Sequence, residues 1–285
     1  MKDKEDWDIV IERNSNVFDL RLSEVWKYRY LIAMFVKRDF ISVYKQTILG
    51  PLWFILQPIL TTATYLLIFN NIAQLSTDGI PPILFYMSGV LFWNYFSVSF
   101  LKTADTFITN AGVFGKVYFP RLTVPIATIL SSFISFGIQL VFFMVVYTYY
   151  LLSDKLHFVI DYSSLILLPF IIFLMAILSM GMGTIISAMT TKYRDLRFLI
   201  TFGIQLLMYA TPVVYPMSMV SNAKIKFLLY LNPMTSIIET FRYIVLGAGD
   251  YSIQALGYSA IATFFIAVIG IAVFNKVEKN FMDTI

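Results

Sequence analysis

The 285-residue chain is 59% hydrophobic and 13% charged, with a mean hydropathy of +0.76; that is about half the charge of an ordinary soluble domain, which excludes one. It holds no cysteine, which excludes disulfides, thiolate metal sites and cysteine catalysis. Its net charge of +4 reports loop lysines and arginines rather than nucleic-acid binding.

In chain order, residues 1–50 read as a cytoplasmic segment. The first 24 carry eleven charges and do not resemble a secretory signal. Residues 23–46 mix aromatic and basic side chains, with Ser23 suited to cap a helix start. On one continuous helix Lys27, Arg38 and Lys45 fall within about 20° of each other. That pattern predicts an amphipathic helix on the cytoplasmic membrane surface. Anchoring by positive charge alone accounts for the same residues without a ligand. Gly50-Pro51 is expected to turn the chain into the first span.

Residues 51–285 read as one transmembrane domain. Six spans are expected, at about 52–74, 82–103, 121–152, 163–190, 198–215 and 252–275. Of the 21 lysines and arginines, 17 fall on one side and four on the other, which places both termini in the cytoplasm. The lone histidine, His157, reads as a solvated loop residue. Segment 216–251 is neither a span nor an ordinary loop. Asn232-Pro233 signals a helix start and Gly247 a stop. Glu239 and Arg242 are three apart and able to pair. An apolar external segment with a charge pair predicts re-entrant helices, which survive where protein or a wet cavity surrounds them.

Polar residues recur at helical spacing inside four spans. Span 1 has Gln57, Thr61, Thr64 and Tyr65, and span 3 has Thr128, Ser131, Ser135 and Gln139. Span 4 has Ser179, Gly183 and Ser187, and span 5 has Thr201, Gln205 and Pro212 flanking Met208 and Tyr209. Small and hydroxylated residues favour helix packing, the reading taken for spans 3 and 4. Glutamine, tyrosine and proline suit close packing less, so spans 1 and 5 read as pore lining. Pro58, beside Gln57, fits that reading by freeing a carbonyl near residue 54. Packing against a second copy is the rival explanation of the first seam.

No acidic residue, lysine or arginine falls mid-span, which weighs against an ion-driven carrier. It also weighs against an embedded hydrolase, which needs a general base or a metal. No metal site and no catalytic residue are expected. The chain carries no G-x-x-x-x-G-K-[ST] phosphate loop, so transport would need an external motor.

Five stretches resemble the membrane subunit of ABC-type polysaccharide exporters for O-antigen, capsule or teichoic acid. They are "RDFISVYKQTILGPLWFILQPIL" (38–60), "GKVYFPRLTVPIA" (115–127), "TTKYRDLR" (190–197), "YATPVVYP" (209–216) and "LNPMTSIIETFRYIVLG" (231–247). They occur in the family's order, and the resemblance runs over nearly the whole length of the chain. The resemblance implies an all-α polytopic protein of the bacterial inner membrane with six transmembrane helices, working as a homodimer with two separate ATPase subunits. This chain would hold no cofactor, since ATP and magnesium belong to the ATPase, and would not itself be an enzyme. Segment 104–120 would be the coupling helix, with Asn110, Lys116, Arg194 and Asp195 near the ATPase. The cargo would be a glycan on a polyprenyl diphosphate, met at its entrance by Lys27, Arg38 and Lys45. Segment 216–247 would gate the outside, with Pro212, Pro216, Pro233, Glu239 and Arg242 as gate residues. Sugars need many weak sites, which aromatic faces supply. Gln57, Thr61, Tyr65, Trp93, Gln205 and Tyr209 are the channel-lining candidates, Trp93 sharing a helix face with Gly89 and Phe100. A drug or lipid cargo, or a non-transporting scaffold, are the alternatives.

Overall fold

The computed structural model describes residues 22–45, 47–153, 162–193 and 195–281. Lys155, His157 and Arg194 therefore lie outside the described residues. Among those described, every regular element is helical.

The first described helices are α1 (Leu22–Lys27) and α2 (Arg29–Tyr44). The two are broken at Tyr28, so Lys27 does not share a continuous helix with Arg38, and Lys45 lies just beyond the end of α2 in extended backbone. The one-stripe expectation for these three cations is corrected: all are exposed, but on different elements. Ser23 falls inside α1 rather than at its cap. Gly50, at φ 49°, then opens a 3-10 turn over Gly50–Leu52, with Pro51 in its first turn. This delivers the chain into α3 (Trp53–Tyr65), which runs through Pro58 and widens to a π-helix over Leu66–Ile72.

Next come α4 (Pro82–Ala104), the short α5 (Thr106–Phe114), α6 (Thr123–Leu152), α7 (Leu167–Thr190) and α8 (Leu196–Tyr209). The chain closes with α9 (Ala223–Tyr230), α10 (Pro233–Leu246) and α11 (Ile253–Phe281). The centre of the bundle is α4, packed by α3, α6, α7 and α10. In its most apolar stretch 72% is buried, against 11% for the first span, so α3 turns most of its surface outward. The main core runs through Phe92, Phe96, Phe136, Phe143, Met175 and Phe241. A second core at one end joins α2, α5, α6 and α11 through Phe35, Phe107, Phe114, Phe119 and Phe274. The seam of span 4 packs as expected: a Cβ on Gly183 would lie 2.5 Å from the Thr103 side chain of α4.

Among the described residues five helices are long and apolar enough to cross a membrane: Gly50–Ile72, Pro82–Ala104, Thr123–Leu152, Ser164–Thr190 and Ile253–Glu278. The fifth expected span, 198–215, is shorter than predicted. Its helix ends at Tyr209, and 14 residues reach only about 21 Å of a hydrocarbon core of about 30 Å. Pro212 is the cause, since it donates no backbone hydrogen bond and steers Thr211 away from helical backbone.

Candidate functional site

The outward face of α3 and the exposed helix α8 carry the two polar seams, and the structure joins them. The Tyr65 hydroxyl donates to Met208 Sδ at 3.0 Å. Gln57, Gln205 and Tyr209 are exposed, and Thr61 is half-buried. The Thr61 and Thr201 hydroxyls donate to carbonyls four residues back, at Gln57 and Arg197. Among the described residues the Gln57 and Gln205 amides and the Tyr209 hydroxyl of this face donate to no protein acceptor. In hydrocarbon, unpartnered amides cost several kcal/mol, about 4–8 on a scale where nothing else can bond them. The face is therefore built for water, a polar cargo or another protein surface. Behind it Pro58 and Thr62 meet Gln139 and Phe143 of α6 around a small cavity.

Trp93 is not on this face. It is 6% exposed, its ring 5.5 Å from that of Phe96. Helices α3, α6, α7 and α10 pack around α4, so Trp93, expected to line a channel, lies in the core instead.

Beyond α8 the chain forms a strap, 210–216, in which Thr211, Pro212, Val213, Val214 and Pro216 are buried. A wholly buried guanidinium holds it. Arg242 Nη1 donates to the Pro212 carbonyl at 2.6 Å and Nη2 to the Val213 carbonyl at 2.8 Å. Arg242 also pairs with Glu239 Oε1 at 3.0 Å and donates to Ser88 Oγ at 3.3 Å, its guanidinium lying 3.8 Å over the Phe85 ring. The other Glu239 oxygen accepts the Asp250 backbone N–H at 2.8 Å. The planar fork of arginine suits such a cluster of acceptors, which the point charge of lysine does not match. Gly89 makes room for it, since a Cβ there would lie 2.6 Å from the Val213 carbonyl.

The predicted signals around this hub are present. Asn232 caps α10 by accepting from the Met234 N–H at 3.1 Å, with Pro233 in the first turn. Asn232 Nδ2 also donates to Thr211 Oγ1 at 2.7 Å, a second tie to the strap. Gly247 ends α10 in left-handed backbone, φ 70°. Almost all of α10 is buried among α4, α7 and α11, whereas α9 exposes Ile225, Phe227 and Leu228.

At the opposite end of α8, Arg197 pairs with Asp105 at 2.8 Å beside a cavity of about 240 Å³ between α4, α7 and α8. Asp105 is the junction between α4 and α5. Sequence reasoning missed this pair, because residues 92 positions apart leave no local spacing signal.

The ABC-2 type transporter family profile matches residues 30–246, from α2 to the end of α10. The chain belongs to that family. A Klebsiella pneumoniae protein named O-antigen export system permease protein RfbA is 26% identical over 89% of this ABC-2 chain and 94% of its own length. A Myxococcus xanthus protein of the same name is 27% identical over 78% of this chain and 82% of its own. The Escherichia coli polysialic acid transport protein KpsM is 23% identical over 83% and 89% respectively.

In this ABC-2 chain α5 occupies the expected coupling segment. Lys116 and Asp195 are exposed, but Asn110 is not: it is 6% exposed, and its Nδ2 donates to the Thr106 carbonyl at 3.0 Å. Its Oδ1 faces Arg38 Nη2 at 3.5 Å, so Asn110 looks toward the surface helix rather than outward. Arg38 is itself paired with Asp39 at 2.8 Å and lies over Phe35.

Proposed function

We propose that this ABC-2 chain is the permease half of an ATP-driven exporter that moves a polyprenyl-diphosphate-linked polysaccharide across the bacterial cytoplasmic membrane. The similarity to O-antigen permeases over nearly the whole chain carries this reading. The outward face of α3 and α8 supports it. Two free amides with Tyr65 and Tyr209 suit sugars, and a lipid cargo would have no use for them. Two copies would enclose a path between these faces, covering amides that lipid would leave unbonded.

The motor would be a separate ATPase, two copies per complex, engaging α5, Lys116 and the loop of Arg194 and Asp195. Both termini would be cytoplasmic. Exposed Lys27, Arg38 and Lys45 would attract the lipid diphosphate at the membrane surface. The hub around Arg242 and Glu239, with Pro212, Pro216 and Pro233, would give the external closure its fixed frame, and α9 and α10 would form its re-entrant pair.

The test is to tag the chain, extract it in mild detergent from its native host, and deplete it in a parallel culture. A stoichiometric Walker-motif partner together with loss of surface polysaccharide on depletion is expected. A folded chain with no nucleotide-binding partner, and unchanged surface glycan, would overturn the reading.

A further inference from the structure

The two ends of α8 are held by different kinds of attachment. The Tyr209 end has several ties, and the two from Arg242 are buried. Tyr65 meets Met208, the Tyr215 hydroxyl donates to the Tyr209 carbonyl at 3.1 Å, Asn232 holds Thr211, and Arg242 holds the next two carbonyls. Releasing that end takes two acceptors from the buried Arg242 guanidinium and leaves the buried Pro212 and Val213 carbonyls without their donors. At the Leu196 end, Arg197, Phe198, Leu199, Thr201, Phe202 and Gly203 are exposed, and only Ile204 along the helix is buried. There the polar tie among the described residues from α8 to the rest of the bundle is the ion pair with Asp105, whose side chains are 53% and 23% exposed. Water can replace that pair at little cost.

We propose that α8 is a lever. The Arg242 hub is its pivot, and the Arg197–Asp105 pair is a releasable latch that ties its free end to the α4–α5 junction. Because Asp105 immediately precedes α5, a displacement of α5 acts directly on the latch. Opening swings the Thr201 and Gln205 part of the polar face while the Tyr209 end stays in place. The side cavity lined by Leu101, Ile186, Ile200 and Thr201 gives the helix room to move. This assignment rests on the reading that α8 borders the path, but its test needs no cargo.

The chain has no native cysteine, so single reporters are clean. Thr201→Cys and Tyr209→Cys are introduced separately into the full chain, and maleimide labelling rates are measured in native membranes. Asp105→Ala is expected to raise labelling at 201 about fivefold, the scale of one exposed ion pair, and to leave 209 within about twofold. The exchange Asp105→Arg with Arg197→Asp returns 201 to the parent rate. Arg242→Lys, by contrast, changes labelling at 209. No change at 201, equal changes at both positions, or an exchange that fails to restore the rate would overturn the lever. If Asp105→Ala is lost from the membrane, Asp105→Asn is read by the same criteria.

Discussion

At the scale of single residues, charge and burial separate two arginines that look alike in the sequence. Arg242 is 1% exposed and serves acceptors from three segments, whereas Arg197 is more than half exposed and holds one carboxylate. Removing one partner of a buried pair costs about 3–5 kcal/mol, because the other charge is left unsatisfied. Arg242→Ala is therefore expected to lower the unfolding midpoint of the purified protein sharply, and Arg242→Lys to recover only part of it. Thermal unfolding in detergent measures this, and a wild-type midpoint for Arg242→Ala would refute the hub. Trp93 and Tyr209 make a similar contrast. Trp93→Ala empties a core position and should cost about 3–5 kcal/mol of stability. Tyr209→Ala, on an exposed ring, should leave the midpoint unchanged and reduce surface glycan. The two readouts, unfolding midpoint and glycan level, should separate the two substitutions.

At the scale of elements, the break between α8 and the strap follows from Pro212 and is then locked by contacts from α4 and α10. Gly89 tests that lock. A methyl group there meets the Val213 carbonyl at 2.6 Å and Arg242 Nη2 at 3.0 Å, while one on Gly137 of α6 meets nothing within 4 Å. Gly89→Ala should destabilise the protein, and Gly137→Ala should be neutral or stabilising by about 0.5–1 kcal/mol from helix propensity. Equal midpoints for the two variants would show that the strap yields freely.

At the scale of the whole molecule, the exposed amides of α3 and α8 need a surface to cover them. In the proposed assembly a second copy would supply one, and an isologous pair of copies is the commonest closed arrangement. Native mass measurement of the detergent-extracted complex should show two copies of this chain with two of the ATPase. A single copy bound to the ATPase would mean that the path is not built between like faces.

Composition and block length were enough to show an all-helical membrane protein, and local chemistry was enough to mark particular ends. Asn232, Pro233 and Gly247 bounded α10 because caps act within a turn. Glu239 and Arg242 paired because residues three apart share a helix face. The absence of a phosphate loop from the chain was equally plain. Side-chain direction across the bundle was not legible. Trp93 and Asn110 stand in the expected segments, yet tertiary packing turned both inward, because α3, α6, α7 and α10 pack around Trp93's helix and Asn110 reaches Thr106 and Arg38. The ion pair of Asp105 and Arg197, the room made by Gly89 and the carbonyls taken by Arg242 join residues far apart in the chain. Such contacts exist only once the helices have packed, since no local periodicity encodes which helix faces which.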